Sequence, residues 1–215
     1  MIITTAYFLN KNVFIPNAVV QPSIGSNTPT SINQLQAEID EREDELLLLF
    51  LGQAQKTELY AQFETNGDWK ANALQKWKDL VDGADFEDKH WNGLRYIVGT
   101  KKISLIAYYV YFWYLKEDFA TYSTTGIQVA QSENAISQLP NEKQVSAWNK
   151  FVNMYDGGNI QQRGYAFSRN WNGTMLRWNG GERNEVSLYD FMSAKSDVYD
   201  LRFFNHYDLI NSMNL

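Results

Sequence analysis

Apolar and aromatic side chains are concentrated in one stretch near the middle of the chain, from Thr100 to Tyr122. Between Ile103 and Leu115 this stretch carries no charge. Apolar residues fall on every face of a helical wheel, which is typical of a helix surrounded by other elements. The uncharged run is shorter than the roughly 20 apolar residues that cross a bilayer. The pattern predicts a buried central helix about 35 Å long, with a strand as the alternative because aromatic residues favour strands.

The charges at the ends of this stretch oppose the dipole of the predicted helix. Lys101 and Lys102 stand at its start, and Glu117 and Asp118 stand near its end. Anions are favourable near a helix N-terminus and cations near its C-terminus. We therefore expect tertiary packing, rather than local electrostatics, to stabilise this helix.

A second helical pattern begins at Ser31, which forms a capping box with Gln34. Apolar residues then follow at helical spacing, namely Ile32, Leu35, Ile39, Leu46 and Phe50. Gly52 is expected to end or bend this helix. Its middle, from Glu38 to Glu45, is strongly acidic. This is either a solvated face or a patch that faces a basic partner or a DNA channel, with channel-facing candidates Glu38, Glu41 and Glu45.

Shorter patterns predict the remaining helices. One spans Thr57 to Glu64, and another is capped by Asp68 and ends before Gly83. A further helix is expected to have Pro140 in its first turn, and Ser187 is expected to cap a short helix.

The segment before the central helix is predicted to be irregular. Asp85 to Asn92 is predicted to be a polar connection, and Trp91 to Val98 is expected to lead into the central helix. His90 has no second histidine or cysteine nearby, so we interpret it as an ordinary loop histidine rather than a metal ligand.

Two segments fall outside the helical pattern. Residues 1–30 are interrupted by prolines, and this pattern predicts an extended N-terminal arm.

Residues 159–184, the arginine-rich ribbon, contain Asn172-Gly173, which is a strong hairpin signal. A β-hairpin is therefore expected at about 163–180, and continuation of the preceding helix is the alternative. Candidate contact residues with other chains are the apolar residues of the arm and the arginines and tryptophans of this ribbon, with ordinary packing within the chain as the alternative: Tyr7, Phe8, Phe14, Ile15, Arg169, Trp171, Arg177 and Trp178.

Composition narrows the classes of function. The formal net charge is −6, which disfavours sequence-specific binding of nucleic acid, because phosphate neutralisation dominates that binding. Cysteine is absent, so thiolate metal sites and disulfides are excluded. Phosphate-binding loops, zinc-protease motifs and serine-nucleophile motifs are also absent from the sequence. We therefore do not expect an enzyme. The first residues lack the pattern of a signal peptide, which suggests the cytoplasm or a particle assembled there.

One family shows a similar order of features over residues 32–198. An acidic first helix is followed by a tryptophan-bearing helix, the tyrosine-rich helix, a stop rich in small residues and a late short helix, in the segments FLGQAQKTELYAQF, DLVDG, SLIAYYVYFWYL, YSTTGIQVAQSENA and LYDFM. In this order the chain resembles the head–tail connector, or neck ring, proteins of tailed bacteriophages, particularly those of crAss-like and related Bacteroidetes phages. The arm and the arginine-rich ribbon are not covered by the resemblance.

The resemblance implies a mainly α fold, a helical bundle around the central aromatic helix, in a connector domain of residues 31–198 with a C-terminal tail of residues 199–215. It implies a homo-oligomeric ring of about twelve subunits that joins the portal protein to other neck or tail proteins in the virion, after assembly in the host cytoplasm. Double-stranded DNA would pass through without specific binding, and an acidic lumen would let it slide by like-charge repulsion. The resemblance likewise implies no catalysis and no cofactor, and no membrane partner is implied.

Two other classes of function stay open at this point. The tryptophan and asparagine content also suits a carbohydrate- or surface-binding module. A nuclease or hydrolase would need a pair of carboxylates, but spacing alone favours no particular pair.

Overall fold

A computed structural model describes residues 1–15, 18, 31–87, 89–118, 121–123, 126–128, 141–157 and 184–207. The fold of these residues is mainly α, with small β-hairpins. The helices are α1 (Ser31–Tyr60), α2 (Gln75–Asp82), α3 (Leu105–Asp118), α4 (Asn141–Tyr155) and α5 (Leu188–Ala194). Short 3-10 helices lie at Thr5–Leu9, Lys11–Val13 and Leu201–Phe203. No helix in these ranges is long and apolar enough to span a membrane.

The strands form three small sheets. They are β1 (Ala84–Phe86), β2 (Lys89–Trp91), β3 (Arg95–Val98), β4 (Lys101–Ser104), β5 (Thr121–Ser123), β6 (Gly126–Gln128) and β7 (Asn184–Glu185). β1 pairs antiparallel with β2, and β7 joins β2 in parallel. β3 with β4 and β5 with β6 form two antiparallel pairs.

A helix is present in the predicted aromatic stretch, but it begins at Leu105 rather than at Thr100. Lys101 and Lys102 lie in β4, so the expected conflict between these lysines and the helix dipole was wrong. Ser104, the residue before the helix, caps its N-terminus: its Oγ accepts hydrogen bonds from the backbone N–H groups of Ile106 (3.1 Å) and Ala107 (3.4 Å).

Helix α3 packs against α1 and α4 through aromatic side chains. The ring centroids of Tyr109 and Phe151 are 5.1 Å apart, and those of Phe112 and Trp148 are 4.7 Å apart. From α1, the guanidinium of Arg42 lies 4.8 Å from the centroid of the Trp113 ring. Every residue from Leu105 to Phe112 is buried, which satisfies the all-round apolar pattern of the sequence.

Helix α1 bends where the sequence predicts it. Gly52 has φ 68° and ψ 172°, outside the helical region. A Cβ added there would lie 2.5 Å from Cδ2 of Phe203. Glycine is required both for the left-handed backbone and for the close approach of this ring. The apolar residues Leu35, Ile39, Leu46 and Phe50 are buried, as their helical spacing predicts.

The prediction of a helix capped by Asp68 was wrong. The chain turns back at Asn66-Gly67, where Gly67 has φ 86°, and the Trp69 ring stacks on Phe63 with 4.2 Å between centroids. With Trp69 in this contact, the helix does not begin at Asp68. It begins only at Gln75, where Leu74 is the N-cap residue of α2. The predicted helix end before Gly83 is confirmed.

The segment before α3 is not irregular. β1 and β2 occupy most of Asp85 to Asn92, and His90 Nδ1 lies 2.6 Å from Oδ1 of its cross-strand partner Asp85. β3 occupies Arg95–Val98, and its antiparallel partner β4 then leads into α3.

The first fifteen residues do not form an extended arm. They contain 3-10 helices, and most of their apolar side chains are buried in the core of the same chain, namely Ile2, Ile3, Tyr7, Phe8, Val13 and Ile15. Burial of this apolar area is favourable, and it supplies the physical reason why the segment folds back. Of the rest of the predicted arm, only Ala18 is described, and it too is buried. Residues 16–17, 19–30 and 159–183 lie outside the described residues.

Near the C-terminus, the predicted cap of α5 is confirmed. Ser187 Oγ accepts a hydrogen bond of 3.1 Å from the backbone N–H of Asp190. The following residues return to the core, where Phe204 stacks on Tyr155 with 4.6 Å between ring centroids.

Candidate interaction surface

The hairpin of β3 and β4 exposes aliphatic side chains at its tip. Ile97 is 65% exposed and Val98 is 56% exposed. In the register of the hairpin, Ile97 lies opposite Lys102 and Val98 lies opposite Lys101. Directly opposite residues of an antiparallel pair share a face of the sheet, so each face of the tip combines an aliphatic side chain with a lysine.

A small cavity of about 150 Å³ lies beside β4 and adds to this surface. It is lined by residues 10–13, by residues 101–104, and by Ala107 and Tyr108 of α3. Lys11, Lys101 and Lys102 are exposed at its rim. Lys102 Nζ is 5.8 Å from the centroid of the Tyr7 ring. Among the described residues, none of these three lysines forms an ion pair. We call Lys11, Ile97, Val98, Lys101 and Lys102 the cationic hairpin surface.

Polar contacts fix the base of the hairpin. Arg95 Nε lies 2.9 Å from Asp82 Oδ1, and Arg95 Nη1 donates to the carbonyl oxygen of Ile2 at 2.9 Å. Ser104 Oγ donates to the carbonyl oxygen of Leu94 at 2.7 Å, and Asn10 Nδ2 donates to that of Lys102. The tip therefore projects from a base that is tied to α2 and to the N-terminal segment.

Glu43 of α1 holds that N-terminal segment in place. Its side chain is 1% exposed, and its carboxylate accepts hydrogen bonds from the backbone N–H groups of Ile2 (2.8 Å) and Ile3 (3.1 Å) and from Tyr60 Oη (3.4 Å). The Met1 amino group is 3.8 Å away. Burial raises the pKa of the Glu43 carboxyl, while the amino group and the backbone N–H donors act in the opposite direction.

The channel-facing candidates of α1 are placed in different environments. Glu38 Oε1 lies 2.8 Å from Arg42 Nε, and Glu45 Oε2 lies 3.0 Å from Arg42 Nη1. Both carboxylates are thus paired beside α3, whereas Glu41 is exposed. The set does not form one uncompensated acidic face.

A different set of α1 residues faces solvent together. Asp40, Glu41 and Asp44 are exposed, and Leu48 is 40% exposed. At about 100° per residue, they lie on the side of the helix opposite to the buried Ile39. Lys56 Nζ pairs with Asp44 Oδ1 at 2.7 Å, so Asp44 is partly compensated. We call Asp40, Glu41, Asp44 and Leu48 the acidic stripe.

The interface candidates from the N-terminal segment also differ in how far they are exposed. Tyr7, Phe8 and Ile15 are buried within the chain, and Phe14 is 50% exposed. The structure therefore favours packing within the chain for the first three. Arg169, Trp171, Arg177 and Trp178 lie outside the described residues.

Sequence reasoning missed the cationic hairpin surface and Glu43. The hairpin had a signal, because β-branched and aromatic residues flank a Gly-Thr pair in RYIVGTKKIS. Glu43 had none, since it is one of several acids in its helix and only the folded chain brings it to Ile2.

The described ranges contain no group of three or more histidine and acidic side chains suited to a metal ion. The second histidine, His206, has its Nδ1 3.0 Å from Oδ2 of the buried Asp156, and this pair connects the end of α4 to the C-terminal segment. No family model, curated protein or solved structure matches the chain. Its own surfaces are therefore the basis for a functional proposal.

Proposed function

We propose that this chain is a structural subunit of a tailed-bacteriophage virion, a head–tail connector or neck ring protein that joins the portal to the tail. The observation that carries the proposal is helix α3: an aromatic helix, buried from Leu105 to Phe112, that packs against α1 and α4. This helix contains most of the segment SLIAYYVYFWYL, one of the segments on which the resemblance to neck ring proteins rests. In this proposal the helices form a bundle around α3.

A role in binding is supported by the surface chemistry of the hairpin. In an isolated chain, Ile97 and Val98 leave apolar surface in contact with water, and burying that surface against a partner would be favourable. The neighbouring lysines form no ion pair with any described residue. An apolar centre with a charged rim suits a protein interface. A subunit with several neighbours in a particle would use such a surface.

The DNA channel belongs to the same proposal, with Glu38, Glu41 and Glu45 as its channel-facing candidates. Arg42 compensates Glu38 and Glu45, so their repulsion of DNA would be weak. The net charge of −6 supports passage of double-stranded DNA without specific binding, because a net acidic ring repels phosphate.

A carbohydrate-binding function gains no support from the described tryptophans. Trp77 and Trp91 are buried, and Trp69, Trp113 and Trp148 are half-buried. A platform for stacking sugars needs an accessible ring face, and these rings pack on side chains of their own chain, as Trp148 does on Phe112.

The test is to locate the chain in a particle. We expect mass spectrometry to detect it in purified virions, and cryo-electron microscopy to place it as a ring between the portal and the tail. A nonsense mutation in its gene should give filled heads without tails. Infectious, tailed particles that lack the chain would contradict the proposal, and so would specific saccharide binding on a glycan array.

A further inference from the structure

We infer that the cationic hairpin surface of one copy of this chain binds the acidic stripe of a second copy. The inference deepens the proposed structural role and rests on it for its setting, because a subunit of an assembly needs a surface for its neighbour. The contact itself is argued from the charges and exposure of the two surfaces.

The two surfaces have complementary chemistry. The hairpin offers two exposed aliphatic side chains with Lys101 and Lys102 opposite them on the same faces. The stripe offers Glu41, for which the described residues provide no ion-pair partner, beside Asp40 and the exposed Leu48. Lysines would meet carboxylates, and the aliphatic tip would cover Leu48.

Within one chain, the acidic stripe lies on a different side of α1 from the contacts that connect this helix to the hairpin. The hairpin is connected to α1 through Ile2, whose carbonyl oxygen accepts from Arg95 and whose N–H donates to Glu43. Glu43 therefore lies on the side of α1 that is connected to the hairpin through Ile2. At about 100° per residue, the middle of the acidic stripe is turned by roughly 115° from Glu43, so the stripe lies on a different side of α1 from this connection.

Two different surfaces on one chain make a heterologous contact. Such a contact repeats from copy to copy and gives either a closed ring or an open filament. Exposed ion pairs are individually weak and are screened by salt, while the aliphatic contact is not. We therefore expect self-association that weakens, but does not vanish, as the salt concentration rises.

The experiment is sedimentation velocity of the purified full chain over a range of concentrations, with charge-reversed variants. One variant is K101E/K102E and the other is D40K/E41K. We expect each to associate about tenfold more weakly than the wild type, because like charges then face each other. The control, K78E/K143E, makes the same change of charge as the hairpin variant on α2 and α4, and should associate like the wild type.

Mixing the two variants gives the decisive measurement. When the two variants alternate, an acidic hairpin meets a basic stripe at one contact and an unaltered hairpin meets an unaltered stripe at the next, so an equimolar mixture should regain the association that each variant lost. Circular dichroism and the melting temperature of each variant show whether it is folded, and the mixture serves as a second check, since unfolded chains would not regain association.

Several outcomes would overturn the inference. These are a wild type that stays monomeric up to about 100 μM, variants that associate like the wild type, and a mixture that regains nothing. A monomeric wild type that sediments with phosphatidylserine vesicles through its hairpin lysines would assign the surface to lipid instead. Each result leaves the position of the chain in virions to be decided separately, so failure of this contact is distinguishable from failure of the proposed function.

Discussion

Helix α3 and the β3–β4 hairpin are adjacent in sequence, and both contain apolar residues. These residues are buried in α3 but exposed at the tip of the hairpin. Ile106 is 0% exposed, whereas Ile97 is 65% exposed. A helix can be surrounded by other elements on all sides, but a two-stranded hairpin has little cover of its own. The difference indicates that apolar residues in α3 stabilise the fold, and that those at the hairpin tip are available for another surface.

The largest effect is expected on the free energy of unfolding when these two isoleucines are each replaced by alanine. Ile106→Ala should lower the free energy of unfolding by about 2–5 kcal/mol, since it leaves a cavity in the core. Ile97→Ala should change it by less than about 0.5 kcal/mol, as is usual for surface positions. Guanidinium chloride unfolding of both variants measures the contrast, and equal losses would show that the tip is part of the folding core.

A second contrast compares a glycine in each region. Gly52→Ala should cost about 1–3 kcal/mol, because φ is 68° and the new Cβ would meet the Phe203 ring. Gly99→Ala, at the hairpin turn, has φ 62° but no atom within 4 Å of its Cβ, so only the backbone cost of about 1 kcal/mol remains. Thermal unfolding of the two variants is the measurement. A Gly99 variant that is the less stable of the two would contradict the assignment of steric contact to Gly52.

Ser104 lies at the junction between the hairpin and α3, and its hydroxyl serves both. Ser104→Ala should cost about 1–2 kcal/mol, because it removes the N-cap of α3 and the hydrogen bond to the Leu94 carbonyl. Ser104→Thr should recover part of this loss, since a hydroxyl remains. Chemical unfolding measures both variants. Full stability of the alanine variant would show that packing alone sets the start of the helix.

The smallest effect concerns the pH dependence of stability at Glu43, whose carboxylate holds the N-terminal segment through Ile2 and Ile3. Because burial raises the pKa of Glu43 in the folded chain, the protonated form is favoured by folding. Its contribution to stability is complete below the unfolded pKa and declines as the pH rises through the folded pKa. Glu43→Gln removes this dependence, so stability relative to the wild type should increase from acidic to neutral pH. Urea unfolding of both proteins between pH 4 and 7 tests the direction, and an opposite trend would show that the hydrogen bonds to Ile2 and Ile3 outweigh burial.

The elements that could be predicted are those whose signal is local. The all-round apolar pattern gave α3, Gly52 gave the bend in α1, and Ser187 gave the cap of α5. The helices that were wrongly predicted contain residues that pair across a turn with residues six or seven positions away. Trp69 stacks on Phe63, and Tyr96 pairs with Ile103, so the local helical pattern was overridden in both places.

The candidate site was less predictable than the fold. Exposure of an aliphatic side chain depends on what covers it, and the sequence near Ile97 does not say that the hairpin projects from the body. The acids of α1 show the same limit, because Glu38 and Glu45 pair with Arg42 whereas Glu43 is buried under the N-terminal segment. Helical spacing shows which acids share a face but not what each face meets.

By itself, the sequence determined that the chain has a large aromatic core, a net acidic charge, and helices at most of the amphipathic patterns. These properties follow from side-chain composition and spacing, which act over a few residues. Only the tertiary structure decided that residues 1–15 enter the core, that Glu43 receives their N–H groups, and that Ile97 and Val98 stay exposed beside lysines. Burial and ion pairing depend on contacts between residues far apart in the chain, and these contacts exist only after folding.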